Sequence, residues 1–149
     1  MKVGIVDVGG GLRGIYSSGV LDYCLDQNIC FNVCIGVSAG SANLITYVAK
    51  QKKRTYAFYA DYSQRKEYMS LRNFIKTGNY INLDYIYSTL SNSEGENPLD
   101  YDQIMANKDS DIIIVATDAK TGNPIYFDKT NLERNNYNVL KASSSLPID

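Results

Sequence analysis

Apolar positions in the first third of the chain fall into short runs, each ending at glycine and each followed by an apolar pattern of helical period. Lys2 to Val8 is rich in β-branched residues and stops at Gly9-Gly10-Gly11, which predicts a buried strand feeding a tight loop. Leu12 to Gln27 then places Ile15, Val20, Leu21, Cys24 and Leu25 at roughly helical spacing. Phe31 to Ile35 reads as a second strand, and Ala39 to Lys50 as a largely apolar helix suited to packing on a sheet. Gln51 to Lys76 changes character, interleaving Lys52, Lys53, Arg54, Arg65, Lys66, Arg72 and Lys76 with Tyr56, Phe58, Tyr59, Tyr62, Tyr68 and Phe74. That mixture predicts an amphipathic excursion rather than a core layer.

Further along, Asn82 to Leu90 predicts a short helix and Asn92 to Pro98 a polar, turn-rich connection. Asp111 to Thr117 carries the uninterrupted β-branched run Ile112-Ile113-Ile114-Val115, the pattern of a strand covered on both faces. Thr121 to Pro124 turns the chain into a neighbouring strand, Ile125 to Phe127, and Leu132 to Ala142 reads as a final helix. The alternation of strands and helices predicts one α/β domain over residues 1–149, a three-layer α/β/α sandwich with a mostly parallel central sheet. In such folds the reactive loops gather at the carboxyl ends of the strands, where both glycine clusters lie.

Gly36-Val37-Ser38-Ala39-Gly40 has the form Gly-x-Ser-x-Gly between a strand and a helix. Small residues on either side permit the strained turn that lifts a serine hydroxyl into the open as a nucleophile, and a structural turn is the alternative. The chain contains no histidine, so a Ser-His-Asp triad is excluded. A nucleophilic Ser38 would have to pass its proton to a carboxylate or a lysine.

The other cluster, Gly9-Gly10-Gly11-Leu12-Arg13-Gly14, allows three readings. It fits the Gly-x-Gly-x-x-Gly dinucleotide fingerprint, although the second strand ends Cys34-Ile35-Gly36 without the acidic residue that would hold a ribose. It also suits an oxyanion hole, since backbone amides without side chains approach a tetrahedral intermediate closely. A tight turn is the third.

Composition narrows the classes. Lys+Arg 15 against Asp+Glu 16 gives no global electrostatic case for nucleic acid. Cys24, Cys30 and Cys34, without histidine partners, fit neither a disulfide framework nor a usual zinc site, so no metal or cofactor is expected. The N-terminus lacks the form of a signal peptide and no apolar run reaches transmembrane length, which predicts a cytoplasmic protein. The basic, aromatic stretch Lys50 to Lys76 allows two readings, a solvated helical face with its tyrosines packed inward or peripheral contact with an anionic membrane.

Taken together, Gly9 to Gly14 and Gly36 to Gly40 resemble the patatin-like phospholipase family, which pairs a Gly-Gly-Gly-x-Arg-Gly loop with a Gly-x-Ser-x-Gly elbow. Tyr68 to Asn73, Lys76 to Gly78 and Ala142 to Pro147 resemble its bacterial YjjU-like branch. The resemblance implies a serine acyl hydrolase acting on lipid or acyl-ester substrates through a Ser-Asp dyad. Ser38 would be the nucleophile, the amides of Gly10, Gly11 and Ala39 the oxyanion donors, and Gly9, Arg13, Gly14, Gly36 and Gly40 the motif residues around them. Two positions depart from the family pattern. Val8 stands where an acidic residue is usual, with Asp7 one place earlier, and no Asp-Gly pair occurs anywhere in the chain. The expectation is therefore an N-terminal portion of the domain, with the catalytic aspartate beyond residue 149. Asp149 is a poor substitute, and Asp7 and Asp118 are expected to be structural carboxylates.

Overall fold

The computed structural model describes residues 2–77 and 80–145, without the side chains of residues 72, 76 and 77. Its centre is a four-stranded sheet in the order β1 (Gly4–Asp7), β2 (Val33–Val37), β3 (Asp111–Thr117), β4 (Pro124–Phe127). The first two pairings are parallel and β4 runs antiparallel to β3. Strand β2 begins two residues later than the apolar run suggests. Asn32, just before it, accepts Val3 N–H on its side chain and donates its own N–H to Val3 O, and the ladder proper starts at Gly4 against Val33. Its last residues, Gly36 and Val37, belong to the glycine-serine pentapeptide, so the sheet itself delivers Ser38.

Helices α1 (Ile15–Asp26) and α2 (Ala39–Val48) follow the first two strands as expected. Both parallel connections step the same way across the sheet, and right-handed crossovers therefore carry their helices to one face. α2 lies against β1, β2 and β3, α6 (Asn138–Ser144) lies against β3 and α2, and α1 packs on α2. Beneath them Cys34, Ile112 and Ile114 are fully buried. Residues of opposite parity face away: Val6, Ile35 and Ile113 are in register, yet Val6 is 62% exposed and Tyr126 on β4 is 66% exposed.

The stretch after α2 differs from its amphipathic reading. It forms α3 (Arg54–Ala60), a single turn at Tyr62–Gln64 and α4 (Leu71–Thr77), and it adds Phe58, Tyr59, Tyr62 and Tyr68 to the core. Arg54, grouped by sequence with the basic surface, is buried at 7% exposure. Leu83, Ile86, Tyr87 and Leu90 extend the same core, the last three from a π-helical turn at Tyr85–Leu90. A helix the sequence pattern does not announce, α5 (Tyr101–Ala106), is started by Asp100, whose carboxylate accepts Gln103 N–H at 2.9 Å. The final helix starts at Asn138 rather than Leu132, because Asn135 adopts a left-handed φ of 63° that no helix can run through.

Candidate active site

Ser38 sits between the end of β2 and the first turn of α2 with φ 54° and ψ −128°, a conformation L-residues adopt only under constraint. The surroundings supply that constraint through close packing. A Cβ on Gly36 would lie 2.5 Å from Ser41 Cα, and one on Gly40 would fall on the Asp7 carbonyl, well inside contact distance. Both glycines of the pentapeptide are therefore required by space. Ser41 N–H donates to Ser38 O at 2.9 Å, closing the first turn of α2.

A second set of bonds reaches the elbow from α6. The backbone N–H of Ser38 donates to Ser143 Oγ at 2.9 Å, and the Ser143 hydroxyl donates to Val115 O of β3 at 2.6 Å. Ser41 Oγ lies 2.9 Å from the same hydroxyl. With its proton committed to Val115, Ser143 accepts from both other groups and uses its full hydrogen-bonding capacity.

The glycine loop lies against this turn. Gly9, Gly10 and Gly11 all have positive φ, and a Cβ on Gly9 would lie 2.5 Å from Val37 O and 2.9 Å from the nitrogens of Ala39 and Gly40. Asp7 supports the loop from below: one carboxylate oxygen accepts Gly9 N–H at 2.9 Å and the other accepts Asn43 Nδ2 at 3.0 Å. Asn43 also donates to Gly14 O at 3.0 Å and accepts the Tyr59 hydroxyl at 2.9 Å. Arg13 folds back so that Nε donates to Gly10 O at 3.4 Å, which clamps the loop's own carbonyl.

From Ser38, Ala39, Gly11 and Leu12 a narrow cavity runs inward between α2, α3 and the Tyr85–Leu90 turn. Its walls include Ala42, Phe58, Tyr59, Tyr68, Ile81, Leu83, Ile86 and Tyr87, with Ser144 at the side. Ala42, Phe58, Ile81, Leu83 and Ile86 make the lining largely apolar, and burial there pushes the phenols of Tyr59, Tyr68 and Tyr87 above the usual tyrosine range. Tyr87 is tied to Ser144 at 3.2 Å. Among the described residues, Arg54 is the single cation on the wall. Burial lowers its pKa to about 10, which still leaves it charged at neutral pH. It donates to Thr46 Oγ1, Ser91 Oγ and the carbonyls of Asn97 and Pro98, and stacks over Phe58 at 4.7 Å. Among the described residues no carboxylate pairs with it.

The structure thus brings together Ser38, Ala39, Gly36 and Gly40 of one motif with Gly9, Gly10, Gly11, Arg13 and Gly14 of the other. Asp118 is occupied elsewhere, accepting Lys120 and Thr121 N–H in the turn after β3, bonds that hold its pKa below the usual carboxylate range. Asp149 and the segment Leu146-Pro147 lie outside the described residues. No metal-ligating cluster and no helix long and apolar enough to cross a membrane occur among the described residues. Sequence reasoning assigned no role to Ser143, Asn43 or the cavity tyrosines. Each acts through contacts with distant segments.

A strained serine between strand and helix, a glycine loop against it and a largely apolar cavity that the serine helps to line are the combination expected of a lipid hydrolase. The model of the patatin-like phospholipase family matches residues 8–148, and this chain belongs to that family. It is also 30% identical over 149 residues to the "Uncharacterized protein YjjU" of Escherichia coli (strain K12). That match covers 98% of this chain and 40% of the relative, so the chain spans well under half of that protein's length.

Proposed function

We propose that residues 1–149 carry the nucleophile, oxyanion loop and acyl-binding cavity of a serine acyl hydrolase of the phospholipase A or lipid-esterase type. Ser38 Oγ attacks the ester carbonyl and its proton passes to a carboxylate, which returns it to the departing alcohol. Water then releases the acyl group by the reverse sequence. The amides of Gly10, Gly11 and Ala39 stabilise the oxyanion, aided by the positive end of α2. The carrying observation is the left-handed Ser38 on the wall of an apolar cavity.

The base of the proposed Ser-Asp dyad is an aspartate other than Asp7 and Asp118. Both Asp7 oxygens are already engaged in holding the loop and Asn43. The dinucleotide reading of Gly9 to Gly14 gains no support, since β2 ends at Gly36 and Val37 rather than at a carboxylate. A cytoplasmic site of action with peripheral membrane contact through Lys50 to Lys76 completes the reading, although Arg54 is buried and Lys52 pairs with Asp26 at 2.6 Å.

The test is intact-mass analysis after treatment with an alkyl fluorophosphonate. A single adduct, absent in Ser38→Ala, supports the reading, and an adduct that persists in Ser38→Ala overturns it. The absence of an Asp-Gly pair favours one alternative, a catalytically silent lipid-binding domain. That alternative predicts fatty-acid binding with no adduct, even when the rest of a longer protein is present.

A further inference from the structure

Helix α4 is amphipathic in the inverted sense. Leu71, Phe74 and Ile75 stand at i, i+3 and i+4, on one helical face, and are 72%, 49% and 83% exposed. Asn73, on the other side, is tied back to the protein: Nδ2 donates to Glu67 O at 3.3 Å, and its backbone N–H donates to Ser70 Oγ at 3.2 Å. A helix whose packing is completed within its own chain turns the apolar side inward. Single exposed apolar residues are ordinary on a protein surface, whereas a contiguous apolar helix face marks a contact.

The helix stands on a short stem that leads to the cavity. Ser70 N–H donates to Tyr80 O at 3.3 Å, Met69 pairs with Ile81 in an antiparallel bridge, and Asn82 N–H donates to Tyr68 O at 2.8 Å. Tyr68 and Ile81 are also walls of the cavity that reaches Ser38. The apolar face is therefore joined through these stem residues to the cavity lining.

We propose that Leu71, Phe74 and Ile75 enter the surface of an anionic lipid bilayer, seating α4 in the headgroup region with the cavity behind it. Charge selects lipid as the occupant: residues 66–76 carry Lys66, Arg72 and Lys76 against Glu67 alone. Basic residues beside an apolar helix face add attraction to anionic headgroups, a gain that a purely apolar protein partner would not provide. The proposal deepens the hydrolase reading by naming where the lipid surface meets the chain, and it rests on that reading only for what enters the cavity.

The experiment is sedimentation with vesicles of phosphatidylcholine alone and of phosphatidylcholine containing phosphatidylglycerol, with circular dichroism confirming that each variant folds. The purified chain is expected to bind the anionic vesicles more tightly. Ile75→Asp, at an exposed position, should weaken that binding by roughly tenfold or more. Tyr126→Ser on β4 should bind as the parent does. The proposal is overturned if the parent ignores anionic vesicles, if Ile75→Asp binds unchanged, or if Tyr126→Ser loses as much. Self-association abolished by Ile75→Asp without any vesicle binding would assign the face to a second copy and equally overturn it. Because vesicle binding does not require the nucleophile, a missing adduct at Ser38 and a missing membrane contact are separately visible.

Discussion

The hydroxyl of Ser143 accepts the backbone N–H of Ser38 at 2.9 Å although 105 residues separate them. Through it the final helix, the third strand and the elbow become one unit, since the same oxygen donates to Val115 and meets Ser41. Ser143→Ala should leave those partners unpaired and cost about 1–3 kcal/mol of stability. At a temperature where both proteins are folded, fluorophosphonate labelling of Ser38 should slow by roughly tenfold as the elbow relaxes. Ser143→Thr, which keeps the hydroxyl, should recover most of that rate. Equal labelling rates for Ala and Ser at position 143 would exclude the positioning role.

Two glycines should respond to the same substitution with opposite sign. Gly40→Ala places a methyl against the backbone of Asp7, where neither element can yield, and should destabilise by about 3 kcal/mol or more. Gly19 lies inside α1 with open space around its would-be Cβ. Gly19→Ala should stabilise by about 0.5–1 kcal/mol through helix propensity and a less flexible unfolded chain. Urea melts of the pair read both effects.

Alkaline pH should unfold the protein earlier than acid-base composition alone suggests. Burial pushes the Cys34 thiol from 9.0 up to about 12, and the Tyr47 phenol from 10.0 up to about 12. Both folded values are raised, so the unfolded state releases these protons first and stability is fully present below pH 9. It should then decline between about pH 9 and pH 12, by up to about 1.4 kcal/mol per pH unit for each group in its window. Cys34→Ala should lower stability at every pH yet flatten the slope between pH 9 and 10. An unchanged slope would mean that the thiol is not the titrating group.

Arg54 offers a test of what a buried cation contributes without a counter-charge. Its guanidinium satisfies two hydroxyls and two carbonyls at once, a geometry that a single ammonium cannot copy. Arg54→Lys keeps the desolvated charge and loses most of the bonds, so it should destabilise by about 2–4 kcal/mol. Arg54→Met removes both, and should be no worse than Lys in chemical denaturation. A Lys variant as stable as the parent would show that the four bonds carry little.

The legible parts of this fold are those whose physics is local. A β-branched run such as Ile112 to Val115 declares a buried strand by itself, and Gly-x-Ser-x-Gly between apolar strand and apolar helix declares the elbow. Helix α5 was hidden because six residues carry too little periodicity, and its start depends on one side chain, Asp100. Arg54 reads as surface in any composition-based view. Only the convergence of Thr46 with Ser91, Asn97 and Pro98, from two segments about 45 residues apart, makes its burial tolerable. The site follows the same division: its motifs were readable, while Ser143, Asn43 and the cavity tyrosines act through pairings that no local window contains.

The sheet face carrying Val6, Ile35, Ile113 and Tyr126 has a thermodynamic consequence. The folded chain exposes 8732 Å², against roughly 7600 Å² expected of a monomer of its mass. Val6 and Tyr126 on that face are among the apolar groups that stay in contact with water after folding. The heat-capacity increment of unfolding and the urea dependence of stability should both fall below the usual values for 149 residues. Anything that settles on that face would raise the two quantities together, with no change in the chemistry at Ser38.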